Sequence, residues 1–270
     1  MAAGGTGVNH QAADAPACKL TVARARKSFH QAGGDEVLAV ADVSFSVRTG
    51  EYVAIVGPTG AGKSVLFDCL LGLKRLDGGE IRIDNRPVEN FVREKRGCIT
   101  RIFQEDRLLP WLSALDNAAF GLQVQGVPEQ ERRDRAARWL DAVGLGGFKN
   151  ALPRELSGGM RQRVNIARAF APNPELVLLD EAFSALDDVT ASRLRGDFKK
   201  LAQSQSTTFL IVTHSIDEAI FLANRILVFG APARLMAEIA VPNGAWEDRA
   251  LSDRIKEQVR SLIAAGARPH

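Results

Sequence analysis

One stretch limits the folds open to this chain more than any other: Gly57-Pro58-Thr59-Gly60-Ala61-Gly62-Lys63-Ser64. It fills every specified position of the phosphate-binding pattern G-x-x-x-x-G-K-[ST]. Before it, Tyr52-Val53-Ala54-Ile55-Val56 is a short apolar run that reads as a buried strand. After it, Val65-Leu66-Phe67-Asp68-Cys69-Leu70-Leu71 contains no Gly or Pro and reads as a helix closed by Gly72. A strand, a glycine-rich loop and a helix in that order commit this part of the chain to a βα unit. The glycines let successive backbone N–H groups converge on phosphate oxygens, and the helix N-terminus adds a positive partial charge. Lys63 carries a full charge toward the β/γ-phosphates of a nucleoside triphosphate, and the Ser64 hydroxyl can ligate Mg²⁺. The plainer alternative is a tight turn with an exposed lysine; the filled pattern and both flanks weigh against it.

The 270 residues suffice for one large domain, or for one domain with an insert. A formal net charge of +3 is too slight to argue for a nucleic-acid partner. Cys18, Cys69 and Cys98 are widely spaced and form no C-x-x-C. They suggest neither a disulfide framework nor a zinc site, and favour a reducing, cytosolic compartment. Residues 1–18 are rich in Ala and Gly and lack the basic start and apolar centre of a signal peptide. They read as a mobile tail. No run approaches the ~18 apolar residues that span a bilayer. If the protein works at a membrane, another chain must do the crossing.

Taken in order, Leu20-Thr21-Val22-Ala23-Arg24-Ala25 alternates and reads as a strand, with a loop expected through Gly33-Gly34. Val37-Leu38-Ala39-Val40-Ala41 and Val43-Ser44-Phe45-Ser46-Val47 read as two further strands. Early strands of antiparallel character before a βα unit imply a β-subdomain packed on an α/β core. Asp77-Gly78-Gly79-Glu80 reads as a turn, Ile81-Arg82-Ile83 as a short strand, and Cys98-Ile99-Thr100-Arg101-Ile102-Phe103 as a strand ending at Gln104. From about Asp106 to Leu156 the pattern is mostly helical, with Ala136, Trp139, Leu140 and Val143 at helical spacing. The run Arg132-Arg133-Asp134-Arg135 within it reads as a solvated helix face, because acidic residues are interleaved. This block reads as a helical insert. The core resumes with Leu176-Val177-Leu178-Leu179-Asp180-Glu181 and Thr208-Phe209-Leu210-Ile211-Val212-Thr213-His214, near-continuous apolar runs that suit central parallel strands. Residues 225–229 and 236–241 look like a closing hairpin, and 251–264 like a terminal helix.

Both central strands end in polar groups, where open α/β sheets bind ligands. Asp180 can hold Mg²⁺ through water, and Glu181 is placed to orient and polarise an attacking water. The alternative, two acids capping a strand end, loses ground beside a phosphate loop. Leu156-Ser157-Gly158-Gly159-Met160-Arg161-Gln162-Arg163 opens another helix, with Ser157 as N-cap. Its glycines make a second anion-binding surface, unless the segment is only an ordinary capped helix. Two phosphate-binding surfaces on one chain invite a dimer in which each nucleotide is gripped by both subunits.

The motifs now stand in a fixed order. They are Walker A at residues 57–64, Gln104 after a strand, Leu-Ser-Gly-Gly-Met at 156–160, Walker B at 176–180 with Glu181, Ser184-Ala185-Leu186-Asp187, and His214. Together they resemble the nucleotide-binding subunit of an ABC transporter, over about Leu20 to Val241. The resemblance implies an α/β fold: a P-loop NTPase (RecA-like) core with an antiparallel β-subdomain and an inserted α-helical subdomain. The ATPase domain would cover residues 19–245, with the insert at about 106–160 and a helical tail at 246–270. It implies ATP and Mg²⁺ as cofactors, bound by Gly57, Pro58, Thr59, Gly60, Ala61, Gly62, Lys63 and Ser64, with Ser64, Gln104 and Asp180 toward the metal. Gln104 would sense metal and attacking water, Glu181 would be the catalytic carboxylate, and His214 would contact the γ-phosphate. Ser157, Gly158, Gly159 and Asp187 would act across the dimer. Phe29 stands where the family places an aromatic that stacks on adenine, although local packing explains it nearly as well.

The same resemblance implies partners: a second ATPase subunit (homodimer or homologous heterodimer), multi-span membrane permease subunits and, indirectly, a substrate-binding protein. No nucleic acid is expected. The site of work would be the cytoplasmic face of a bacterial inner membrane. Gln104-Glu105-Asp106-Arg107-Leu108-Leu109-Pro110-Trp111 resembles the nitrate/sulfonate/taurine importer branch. Trp111 would lie near the groove that receives the membrane subunit, or else pack inside the insert. Lipid-handling or export systems, and ABC ATPases of DNA maintenance, are the rival readings. The last of these usually carry long coiled-coil or zinc inserts, and none is seen here. Met160, Val65 and Ser215 depart from the usual pattern; Ser215 stands where Asp is common and bears on how His214 is held.

Overall fold

The structure is a computed structural model that describes residues 17–30, 35–203, 205 and 207–266. The tail reading of residues 1–18 therefore falls mostly outside the described residues, as does the loop at Gly33-Gly34. Residue 18 already belongs to a strand, and the Thr49 amide donates to the Ala17 carbonyl at 2.9 Å.

The chain opens with a long antiparallel pair, β1 (Cys18–His30) and β2 (Glu36–Arg48). This corrects two expectations. β1 does not stop at Ala25 but carries Phe29, and the two strands expected in 37–47 are one. Arg24 and Asp42 take left-handed backbone (φ 48° and 51°), and the pairing register shifts between Val22 and Ala25. A bulge bends a strand without ending it.

β3 (Tyr52–Val56) leads through the phosphate loop into α1 (Lys63–Leu70). β4 (Gly78–Ile83) and β5 (Arg86–Pro87) complete the first sheet, in the order β2-β1-β4-β5. Residues 77–80 are thus not the expected turn. Gly78 pairs with Arg26, and a Cβ on Gly79 would overlap the Arg24 carbonyl, so the glycines permit close approach to the bulge. Asp84-Asn85, where the sequence closes the strand, is a turn with both residues left-handed (φ 49° and 60°), as a tight hairpin requires.

After α2 (Val88–Glu94) comes β6 (Ile99–Ile102), then α3 (Ala114–Val124) and α4 (Glu129–Ala142) within the expected insert, and α5 (Gly158–Phe170), which starts at its end and runs ten residues past residue 160. Ala136 and Leu140 of α4 are buried, and Trp139 stacks on Phe170 at 5.0 Å. The arginines of α4 point away from that seam; Arg133 pairs with Asp116 at 2.6 Å and Arg135 with Glu131. The remaining elements are β7 (Leu176–Asp180), α6 (Asp188–Gln203), β8 (Thr208–Thr213), α7 (Ile216–Leu222), β9 (Arg225–Gly230), β10 (Arg234–Ala240) and α8 (Arg249–Gly266).

The second sheet runs β10-β9-β3-β8-β7-β6, parallel from β9 to β6, with β10 as an antiparallel edge. Strand alternation divides its side chains between two cores. Val53, Ile55, Leu178, Leu210 and Val212 face α1 and the first sheet. Ala54, Val56, Val177, Leu179 and Ile211 face the helices of the insert and α6. Cover on both faces is why these strands are apolar throughout.

Candidate functional site

β3, β8 and β7 are neighbours in parallel register, with Val56 opposite Thr213 and Val212 opposite Asp180. Their C-terminal ends therefore lie level. The phosphate loop leaves one, His214 follows the next, and Asp180-Glu181 closes the third. This is the edge at which an open α/β sheet presents a ligand site.

In the loop, Gly60 and Gly62 take left-handed backbone (φ 76° and 91°). A Cβ on Gly62 would overlap the Ala39 carbonyl of β2, so glycine is required twice over there. A Cβ on Gly57 would meet the Phe229 carbonyl oxygen at 2.5 Å. Ala61 is buried, and its amide donates to the Pro58 carbonyl at 3.3 Å; Thr59 and Ser64 are exposed. The Lys63 ammonium donates to the Gly57 and Pro58 carbonyls at 2.8 and 2.7 Å. Burial lowers its pKa, while the charges of Glu181 and Asp180 work the other way.

Glu181 takes a left-handed backbone (φ 49°), and its backbone N–H donates to the Val212 carbonyl at 2.9 Å. Its Oε2 lies 3.2 Å from His214 Nδ1. His214 is exposed, which disposes of a buried core histidine. Ser215 caps α7: its hydroxyl accepts from the Glu218 amide at 3.2 Å. The departure from Asp at this position thus keeps a helix cap, since Ser and Asp do that task about equally. Glu218 itself is 5% exposed, and burial pushes its carboxyl up to about 7 against the pull of Arg195 and His214.

Asp180 is engaged by Arg101, which also bonds Asp68 of α1 at 2.8 Å. Sequence reading assigned Arg101 no part. A lone arginine within an otherwise strand-like run was the available signal.

Gln104 is exposed just beyond β6. With Gly158, Arg161, Gln162 and Leu186 it lines a cavity of about 400 Å³. Gln162 ties this region together, donating to the Ala182 carbonyl at 2.6 Å and the Phe103 carbonyl at 3.3 Å. Ser157 caps α5, accepting from the Met160 amide at 3.3 Å, and is exposed. Asp187 likewise accepts from the Thr190 amide at 3.0 Å, a bond that lowers its carboxyl pKa. The helix bearing Ser157, Gly158 and Gly159 packs on α3, α4, β6 and α6. Among the described contacts none joins these three residues to Lys63 or Ser64. Phe29 is exposed at the end of β1, with the Lys27 and Lys74 ammonium groups 5.5 and 5.8 Å from its ring centre. It is not a packed core ring.

The oxygen donors Ser64, Asp180 and Gln104 are of the hard type that suits Mg²⁺. Among the described residues no group of three or more His, Cys, Asp or Glu could form a protein-only cage. One carboxylate with a hydroxyl and an amide fits a metal that arrives with phosphates and keeps part of its water.

A family model described as ABC transporter matches residues 40–184. The taurine import ATP-binding protein TauB of Pseudomonas aeruginosa is 40% identical over 247 residues, covering 91% of this chain and 90% of the relative. The nitrate import ATP-binding protein NrtD of Synechocystis sp. is 39% identical over 206 residues, 76% of each chain. Among solved structures, the dimeric post-hydrolysis state of the ATP-binding cassette MJ0796 bound to ADP and Pi superposes with a TM-score of 0.74. It is 32% identical, across 83% of this chain and 99% of that one. Matches of this identity and reach, on a sheet whose level strand ends gather the phosphate loop, a carboxylate pair and a histidine, make the chain a member of the ABC transporter family.

Proposed function

We propose that the chain is the ATP-hydrolysing subunit of an ABC importer for taurine, nitrate or a similar small anion, and that its site is half of a composite one. The observation that carries this reading is the level ending of β3, β7 and β8, with Glu181 3.2 Å from His214 beside the phosphate loop. Residues 57–64 wrap the phosphates through backbone N–H groups, and Lys63 turns its ammonium from the loop carbonyls toward β/γ oxygens. Glu181 orients and polarises the attacking water. With both ring nitrogens protonated, His214 gives Nδ1–H to Glu181 and Nε2–H to a γ-phosphate oxygen. Mg²⁺, when bound through Ser64, Asp180 and Gln104, neutralises charge on the phosphates. Phe29 stacks on the base.

Among the described contacts none joins Ser157, Gly158, Gly159 or Asp187 to Lys63 within one chain, which supports their acting on the nucleotide of a second subunit. Closing two such chains on ATP then drives the membrane partners. Among the described residues no helix is long and apolar enough to cross a membrane. In this reading membrane-spanning permease subunits do the crossing, the cassette works on their cytoplasmic face, and a binding protein delivers the anion. The relatives' names support the importer branch and the substrate class.

Glu181→Gln tests the reading. The variant keeps ATP binding, loses most hydrolysis and accumulates as an ATP-bound dimer on size-exclusion chromatography. Wild-type turnover in it removes Glu181 from the catalytic role.

A further inference from the structure

The Asp180 carboxylate belongs to a buried ionic fork. On β6 and β7, Arg101 pairs with Leu178, and alternation puts Arg101, Leu178 and Asp180 on the face that α1 covers. The guanidinium reaches both ways from there. One terminal nitrogen bonds Asp180 Oδ2, and the other bonds Asp68 Oδ1 on the phosphate-loop helix at 2.8 Å. The side chains of Arg101 and Asp180 are only 9% and 13% exposed. The guanidinium carbon lies 4.7 Å from the centre of the Phe103 ring, next to Gln104, and 5.8 Å from that of Phe67 on α1. The Arg101 Nε is buried without a partner. Leaving that donor unmet costs free energy that the two charged bonds must offset.

We propose that Arg101 is a positioning residue for the metal carboxylate: it holds Asp180 by one oxygen and so turns the other toward the Mg²⁺ shell. The proposal rests on the reading of Asp180 given above. A cation beside a metal-binding carboxylate ordinarily weakens metal binding. Here Asp68 supplies a compensating negative charge to Arg101, so Asp180 retains its own for the metal. Lys74, 3.7 Å from Asp68 and 39% exposed, is too well solvated to cancel that compensation. The fork also links three parts of the site: the phosphate-loop helix through Asp68, the carboxylate strand through Asp180 and the strand end before Gln104 through Phe103.

The test is a Mg²⁺ titration of the full chain with a fluorescent, non-hydrolysable ATP analogue, beside a metal-free measurement in EDTA. Arg101→Met raises the half-saturating Mg²⁺ concentration by about tenfold or more, the range for loss of a group that orients a metal ligand. Its metal-free nucleotide affinity stays unchanged. Arg101→Lys recovers part of the loss, because a point charge can meet one carboxylate but not fork between two. Asp68→Asn shifts the titration in the same direction, since Arg101 then draws on Asp180 alone. Unchanged or tighter Mg²⁺ dependence in Arg101→Met overturns the proposal. If that variant fails to fold, unchanged dependence in Asp68→Asn overturns it. A wild-type chain that binds no nucleotide would defeat the ATPase reading itself, a result distinct from either.

Discussion

At the scale of single residues, Gly62 carries the sharpest constraint. Its φ of 91° and the Ala39 carbonyl against its α-carbon both exclude a side chain. Gly62→Ala would force a left-handed alanine, costing about 1–2 kcal/mol, and would also push β2 away from the loop. The expected result is an ATP affinity at least about tenfold weaker, since each 1.4 kcal/mol is tenfold. Isothermal titration with ATP and Mg²⁺ measures it, and unaltered affinity would show that the loop does not need this close approach. Gly60 has a similar φ, but its missing Cβ meets nothing within 4 Å, so alanine there carries only the conformational cost. The motif makes the two glycines look alike; only the position of β2 separates them.

Among the elements, α7 follows directly on the level strand ends, after β8. His214 and Ser215 precede it, and Glu218 is buried on it beside Arg195, 3.7 Å away. The Glu218 carboxyl rises from its ordinary 4.5 to about 7. Between those values the folded chain binds more protons at this site than the unfolded chain does, so folding stability falls as pH rises through that window. Glu218→Gln removes this contribution. Its thermal midpoint therefore matches wild type near pH 5 and exceeds it near pH 8. A midpoint difference that is the same at both pH values would mean the carboxyl does not titrate as its burial requires. α7 also shows how a local departure is absorbed. The serine at 215 replaces one good cap with another, so the helix start is kept while the side chain next to His214 loses a charge.

For the whole molecule, the open question is what covers the insert. Trp111 is 72% exposed at the end of Leu108-Leu109-Pro110, so the alternative of packing inside the insert is overturned. Phe120 and Val124 on α3 are exposed too. If this face receives a permease, Trp111→Ala should leave folding within about 0.5 kcal/mol, because the ring contributes little to the core. It should cost roughly 2 kcal/mol of docking, about 30-fold in affinity, as buried tryptophan anchors do. Co-purification of the assembled complex, with the thermal midpoint as control, reads both. Retained permease with Trp111→Ala would move the docking face elsewhere. Much of this molecule follows from local pattern. Phosphate loop, strand-end acids, the helix capped by Ser157 and the histidine are all legible in the sequence, because each needs particular residue types at fixed spacing within one βα junction. The places where strands pass through Arg24 and Asp42 were not, since a residue with φ near 50° looks like a break until a partner strand is seen to continue beside it. Nor was Arg101. Its two carboxylates come from α1 and β7, distant in sequence, and only strand order and register bring them to one guanidinium. The same holds for the loop that organises the chain. Composition and spacing say that residues 57–64 grip phosphate. Packing decides that this loop, Asp180-Glu181 and His214 end level on one edge while Ser157 caps a helix that packs on α3, α4, β6 and α6, because the sheet aligns the ends of its own strands.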